Sequence, residues 1–271
     1  MKTLNDFSFK NARVLLRTDL NSTVINRKVQ DSERIKQAAI TINELKRKKA
    51  KIVIIAHQSQ PGKKDFTSLS QHAKLLNKYT KVKFVPDIIG EKAQTAIKQL
   101  KPGEALLLDN IRFLRDEFSP NKKNNKLVKT LASLADFYIN DAFSVCHRNQ
   151  TSVVSFPRYL PSCAGRLLER EIAALKKIKL QSQNTLYILG GAKPEDNIKL
   201  LNKAKNKVLA TGTFAPLCVI ANGKNLGAQN KVMKNKLYLI KQIKNKLKKV
   251  VLPLDLAVNA KDKRINLNIN K

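Results

Sequence analysis

RVLLR at residues 13–17, SERIKQAAITINELKRK at 32–48 and KIVIIAH at 51–57 decide the fold. The two short runs are apolar, which suits strands, and between them Ile35, Ala38, Ala39, Ile42 and Leu45 recur at helical spacing. Ser32 stands where an N-cap would open that helix. The alternation continues outward: further strands are expected at 82–85, 105–108, 137–139, 186–189, 208–211 and 250–252, with helices in the intervals. This pattern predicts an α/β protein built from two Rossmann-like parallel-sheet domains.

Two prolines, Pro157 and Pro161, interrupt the pattern before a helix-like stretch from 165 to about 180. We therefore expect an N-terminal domain over 1–160, a connecting helix within 161–180, and a second domain over 181–271. Only three strand signals remain in that last segment, so the second sheet is expected to be incomplete. No internal repeat and no low-complexity tail is visible.

Of 271 residues, 53 are Lys or Arg and 20 are Asp or Glu, a net charge of +33. Such a balance favours anionic partners. Only 12 of the basic residues are Arg, however, and the Lys are scattered among many Asn along the whole chain, which reads as compositional bias rather than a binding patch. With 42% hydrophobic residues the chain is not of disordered composition, and no run of eighteen uncharged apolar residues suggests a membrane span. The polar start, MKTLND, carries no signal-peptide pattern, so a cytoplasmic protein is expected. Cys146, Cys163 and Cys218 are odd in number and lack CxxC spacing, which argues for buried thiols and against a disulfide framework or zinc site.

Polar residues gather where the candidate strands end: Arg17, Asp19 and Asn21; His57; Asn110 and Arg112; Asn140, Asp141, His147 and Arg148. In an open parallel sheet these positions converge on one crevice, which Arg34 at the start of the helix could join. Several guanidinium groups around a histidine suit a small, multiply anionic ligand, because the Arg fork matches carboxylate and phosphate oxygens. In the second half, LGGAK at 189–193 followed by Pro194, Glu195 and Asp196 reads as a strand, a glycine turn and a helix start. Glycines there let backbone N–H groups approach phosphate oxygens, and Lys193 could neutralise a transferring phosphoryl group. The spacing is not that of a Walker A loop.

The strings LRTDLN (16–21), SERI (32–35), AHQSQPG (56–62), LLDNIRF (107–113), INDAFSVCHR (139–148) and LGGAK (189–193) together resemble the phosphoglycerate kinases. The archaeal members are nearest, since DFTSL at 65–69 and HA at 72–73 follow as they do there. The resemblance implies phosphoryl transfer between ATP and 3-phosphoglycerate, the glycolytic reaction that forms or consumes 1,3-bisphosphoglycerate with Mg2+. It implies that Asp19 and Asn21 hold the glycerate end, that Arg34 stabilises the transferred phosphoryl group, and that His57, the position of Gln60, Arg112 and Arg148 bind the 3-phosphate. On the nucleotide side it implies Lys193 as the second catalytic cation, with Gly191, Asn197 and Gly212 against ATP or ADP. No metal ligand is assigned.

Some positions depart from the family pattern. Gln60 stands where the family has Arg, Asn197 where many members have a second Lys, and Thr213 and Pro216 where glycine-rich loops are usual. The later NGP and GGGD[ST] segments, the second of which holds nucleotide phosphates and helps bind magnesium, do not occur in the sequence. A C-terminally truncated nucleotide domain is therefore expected, with reduced activity and a complementing segment as a partner; no membrane or nucleic-acid partner is expected. The competing reading is a non-catalytic basic remnant that binds anions or RNA. Residues 231–249 would serve it, with eight Lys, no acid, and Met233, Leu237, Ile240, Ile243 and Leu247 at helical spacing; we read this segment instead as one outer helix packed on the second sheet.

Overall fold

Strand β1 (Arg13–Thr18) is buried from Val14 onward, which requires cover on both faces. Its odd and even residues divide accordingly. Val14 and Leu16 join one apolar cluster with Ile35, Ala38 and Ile42, whereas Leu15 joins another with Ile97, Leu131 and Tyr138. Helices Glu33–Arg47 and Ser70–Leu76 thus cover one face, and helices Glu91–Lys98 and Lys126–Ala132 the other. Residues 1–177 and 185–269 are described in this computed structural model, and the backbone divides into two units, Met1–Lys176 and Lys177–Lys271.

After a small hairpin of β2 (Val24–Ile25) and β3 (Lys28–Val29), the first unit continues through β4 (Lys51–Ile55), β5 (Lys83–Val85), β6 (Ala105–Leu108), β7 (Phe137–Asp141) and β8 (Ser162–Ala164). Six of these form one parallel sheet in the order β5-β6-β4-β1-β7-β8. The chain moves outward from β1 on one side and then returns to its other side at β7. The carboxyl ends of β1, β4 and β7 therefore flank a topological switch point.

Residues 161–177, read from the sequence as a connection, contribute β8 to this sheet and the helix Arg166–Lys177, most of which lies in the first unit. Residues 178–180 of the expected helix lie outside the described residues. The short β8 carries little periodic signal, and its pairing with β7 and with Thr3 could not be read locally. Gly165 starts the helix because the Asp141 carboxylate is packed against it, where an added Cβ would lie 2.4 Å away.

In the second unit β9 (Tyr187–Leu189), β10 (Val208–Ala210) and β11 (Val250–Val251) form a parallel sheet in the order β11-β10-β9. Helices Pro194–Lys203 and Phe214–Ala221 enclose its core with Met233, Leu239 and Ile243. The single helix expected over 231–249 is instead a broken series: Ala228–Val232, a 3-10 turn at Lys234–Leu239, Ile240–Lys244 and a 3-10 turn at Leu247–Lys249. Its apolar residues do pack inward, but short turns rather than one rigid rod carry them. An antiparallel hairpin of β12 (Asp255–Ala260) and β13 (Lys263–Asn268), not expected from the sequence, turns at Lys261 and Asp262, both at positive φ. No described helix is long and apolar enough to cross a membrane. Cys163 and Cys218 are buried as expected, but Cys146 is exposed.

Candidate active site

Arg17, last but one in β1, has its side chain fully buried, a placement that demands partners for all its donors. Its Nε donates to Ser152 Oγ at 3.0 Å, one Nη donates to the Thr18 carbonyl, and the other meets His57 Nδ1 at 3.0 Å. Ser152 is fixed in turn by Glu117, whose carboxylate accepts from the Ser152 N–H at 2.9 Å and from its hydroxyl at 2.7 Å. Burial raises the pKa of Glu117, while the Arg17 charge and the Ser152 bonds pull it down.

His57 follows β4 and is 3% exposed. Burial first, then the charges of Arg17, Arg112, Arg148 and Arg34, hold its imidazole far below the usual range, so it is neutral. Arg112, which follows β6, donates to the Ser59 carbonyl and, at 3.1 Å, to Gln150 Oε1. Burial and the nearby Arg148 and Arg17 lower its pKa to about 10, which leaves it charged at neutral pH. The Nε groups of Arg112 and Arg148 are buried without a hydrogen-bond partner among the described residues. Two orphan guanidinium donors beside a neutral imidazole make a site that lacks an acceptor.

Asn21, His57, Ser59, Gln60, Lys63, Asp65, Arg112 and Arg148 line an open cavity of about 320 Å³. Asn21 and Asp65 also line an adjoining cavity of about 510 Å³ with Ser22, Ser32, Arg34 and Lys64. Asp19 stands beside it, 3% exposed, and accepts from Arg34, from the Asn21 N–H at 3.0 Å and from Ser144 Oγ at 2.6 Å. Arg34 remains 46% exposed, so one side of its guanidinium faces solvent. Ser32 is at the N-cap position, but its hydroxyl meets Ser22 Oγ at 2.8 Å rather than capping the helix.

The structure thus brings Asp19, Asn21, Arg34, His57, Gln60, Arg112 and Arg148 to one edge of the sheet, with Arg17 beneath them. Other residues singled out from the sequence serve the fold. Asn110 is fully buried and braces the crevice floor, donating to the carbonyls of Gln58 and Thr67, both at 2.9 Å. Asp141 caps the helix Arg166–Lys177 by accepting from the N–H groups of Leu167 and Leu168, and burial raises its pKa to about 6. Asn140 accepts from the Ala142 N–H, and His147 is exposed.

Ser59 was not foreseen. It sits at φ 57°, held there because its N–H donates to Asn21, its carbonyl accepts from Arg112 and its hydroxyl donates to Asp65 at 2.6 Å. A non-glycine residue in the left-handed region is costly, and three bonds to site residues fix it. Only the dense polar run from 57 to 60 hinted at it in the sequence.

In the second unit, the loop after β9 presses on the loop after β10 through glycines. An added Cβ on Gly190 would lie 2.1 Å from Thr211 Oγ1, and one on Gly212, at φ 50°, would lie 2.7 Å from the Gly191 nitrogen. Thr213 closes the contact by donating both its N–H and its hydroxyl to the Gly191 carbonyl. Asn197 is buried and donates to the Gly190 carbonyl at 2.8 Å, so it braces this turn. Lys193 is exposed at the N-cap of helix Pro194–Lys203. Gly191, at φ 87°, has open space where a side chain would stand, and leaves its backbone accessible.

No group of three or more His, Cys, Asp or Glu side chains that could hold a metal ion occurs among the described residues.

A sequence profile described as phosphoglycerate kinase matches residues 4–270. A phosphoglycerate kinase of Sulfurisphaera tokodaii is 43% identical over 248 residues, covering 86% of this chain and 60% of its own length. One from Saccharolobus solfataricus is 41% identical over 284 residues, covering 99% and 69%. The crystal structure of phosphoglycerate kinase from Pyrococcus horikoshii OT3 superposes with a TM-score of 0.91 at 35% identity, covering 100% of this chain and 72% of that one. The chain thus spans about 60 to 70% of the length of these relatives.

Proposed function

The chain belongs to the phosphoglycerate kinase family, and from that premise we propose that its first unit binds 3-phosphoglycerate and its second unit ATP or ADP, for phosphoryl transfer in the cytoplasm. The observation that carries this is the convergence of the Arg112 and Arg148 guanidinium groups and neutral His57 on one cavity. A phosphate supplies the acceptors these groups lack, and their positive surroundings favour it charged. A cavity of about 320 Å³ suits a small anion rather than nucleic acid.

In the proposed reaction a carboxylate oxygen of 3-phosphoglycerate attacks the terminal phosphorus of ATP. The bond from that phosphorus to the bridging oxygen breaks, ADP leaves with the electron pair, and 1,3-bisphosphoglycerate forms. Asp19 and Asn21 would hold the glycerate end, while His57, Arg112 and Arg148 hold its phosphate. Arg34, half exposed beside Asp19, would face the reacting carboxylate and stabilise charge on the moving phosphoryl group; Lys193 would do so from the nucleotide side. Gly191 and Gly212 would lie against the nucleotide, with Asn197 fixing their turn. Mg2+ would arrive with the nucleotide and offset charge on its phosphates.

Calorimetric titration with 3-phosphoglycerate tests the first unit: saturable binding to the chain, weakened in Arg148→Ala, is expected, and absence of binding would refute the assignment. A coupled assay with ATP tests turnover. We propose that it is slow for this chain, and that a separately expressed segment carrying the NGP and GGGD[ST] loops accelerates it; full-speed turnover without that segment would show that the nucleotide site is complete.

A further inference from the structure

Resting on the substrate assignment above, we propose that Lys63, on the rim of the substrate cavity, meets the phosphate end and so acts as a specificity-determining residue for it. Gln60 lines that cavity but carries no charge. Lys63 lines the same cavity.

The backbone explains how two positions three residues apart serve one place. Gln60, Pro61, Gly62 and Lys63 form a tight turn in which the Lys63 N–H donates to the Gln60 carbonyl at 3.1 Å. Pro61 presets the second position, and Gly62, at φ 81°, takes the third, where a side chain would be strained. That is the signature of a type II turn, whose first and fourth Cα atoms lie within ~7 Å. The turn therefore returns the chain to where it left, and Lys63 stands beside Gln60 at the cavity rim. A flexible ammonium reaches from the fourth position to a ligand that a guanidinium would meet from the first.

The electrostatics of the cavity also call for it. Asp65 lines the same cavity and carries a negative charge toward any phosphate, although its Oδ1 accepts from Ser59. Lys63 offsets that charge on the rim, whereas Arg112 acts from the buried wall and Arg148 from a partly buried position beside it. Lys63 is exposed, so its contribution is screened and salt-dependent.

The test is calorimetry of the full chain with 3-phosphoglycerate and, in parallel, with glycerate, which lacks the phosphate. Lys63→Gln is expected to weaken 3-phosphoglycerate about fivefold, in keeping with loss of one exposed, screened charge contact, to reduce the salt dependence of binding, and to leave glycerate unchanged. Adding Gln60→Arg to Lys63→Gln is expected to restore affinity to within about threefold of the starting chain. If the chain binds 3-phosphoglycerate through Arg148 but Lys63→Gln binds equally well, the role of Lys63 is overturned while the substrate assignment stands. If the chain binds no 3-phosphoglycerate, both fall. Equal loss of glycerate and 3-phosphoglycerate affinity would also overturn it, since Lys63 would then act on the fold of the loop.

Discussion

Arg17 fixes the tautomer of His57. A guanidinium has donors only, so the 3.0 Å contact from Arg17 to His57 Nδ1 requires Nδ1 to accept. The imidazole proton then sits on Nε2, and His57 offers a neutral N–H to the crevice. Its pKa is held far down by burial and four arginines, which keeps that donor unchanged over the working range. An adjacent cation thus replaces the carboxylate that more often orients a functional histidine.

It follows that 3-phosphoglycerate affinity should show no histidine inflection between pH 6 and 8. Calorimetry across that interval, corrected for the ligand's own phosphate ionisation, should give a flat profile. An inflection that disappears in His57→Gln would show the ring titrating in the free chain.

Replacing Arg148 by Ala should weaken 3-phosphoglycerate by roughly 1.5–3 kcal/mol, the range for a hydrogen bond to a charged group. Because Arg148 is only partly buried, thermal unfolding should change little. A large drop in stability with unchanged affinity would place this residue in the scaffold instead.

Glu117 lies beneath the site and reaches Arg17 through Ser152. Glu117→Ala leaves the Ser152 N–H and hydroxyl without their acceptor and the buried Arg17 charge uncompensated, a loss of about 3 kcal/mol or more. Denaturant unfolding should show it, with Glu117→Gln recovering part of the loss. Equal stability of the Ala variant would remove the clasp from the account.

Acid sensitivity follows from His72, fully buried against Gln58, whose pKa burial lowers to about 4. Between about 6.5 and 4 the unfolded chain binds a proton that the folded His72 refuses, so stability falls as pH falls, by up to ~1.4 kcal/mol per unit. Asp141 works in the opposite sense: raised to about 6, it holds a proton in the folded state that the unfolded chain releases, so it favours folding as pH drops from 6 toward 3.8. Urea midpoints between pH 7 and 5 should decline, because buried His57 refuses the proton over the same interval and the two histidines together outweigh Asp141, and His72→Gln should reduce the slope whatever its effect at pH 7. An unchanged slope would exclude His72 as a source.

In the second unit, Gly212→Ala would drive a Cβ to 2.7 Å from the Gly191 nitrogen in a conformation already at φ 50°. A cost of about 1–3 kcal/mol is expected, borne by this unit alone. Nucleotide binding should drop while 3-phosphoglycerate binding holds; the reverse would misassign the two units.

Much of this was legible because strands buried on both faces announce themselves. Val14 to Leu16 and Ile52 to Ile55 have no other stable place than the middle of a covered sheet, and the polar residues just beyond them must then share an edge. What escaped was non-local or too short to repeat. Strand β8 exists only because β7 and the N-terminus flank it, and β12 and β13 pair across a turn at Lys261 and Asp262 that no glycine or proline marks. The segment 231–249 kept its inward apolar residues but not its regular helix, since periodicity reports which side is buried and not whether every turn is α-helical. Within the site, Arg17 and Ser59 were hardest to weigh: one looks like any strand residue, and the other acquires its role from Asn21 and Arg112, distant in sequence, together with nearby Asp65.

The central position of β1 also has a consequence for synthesis. Its two neighbours are β4 and β7, and β7 begins at Phe137, so the strand made first is completed only after more than a hundred further residues. At the usual ~5–20 residues per second, a ribosome would leave one edge of β1 open for roughly six to twenty-five seconds. During that interval Val14, Leu15 and Leu16 have no second neighbour in the nascent chain, and the buried Arg17 lacks both Ser152 and the Glu117 clasp that depends on it. The crevice can therefore be assembled only near the end of the first unit's translation, and chaperone occupancy of the nascent chain should fall sharply as residues 137–164 emerge.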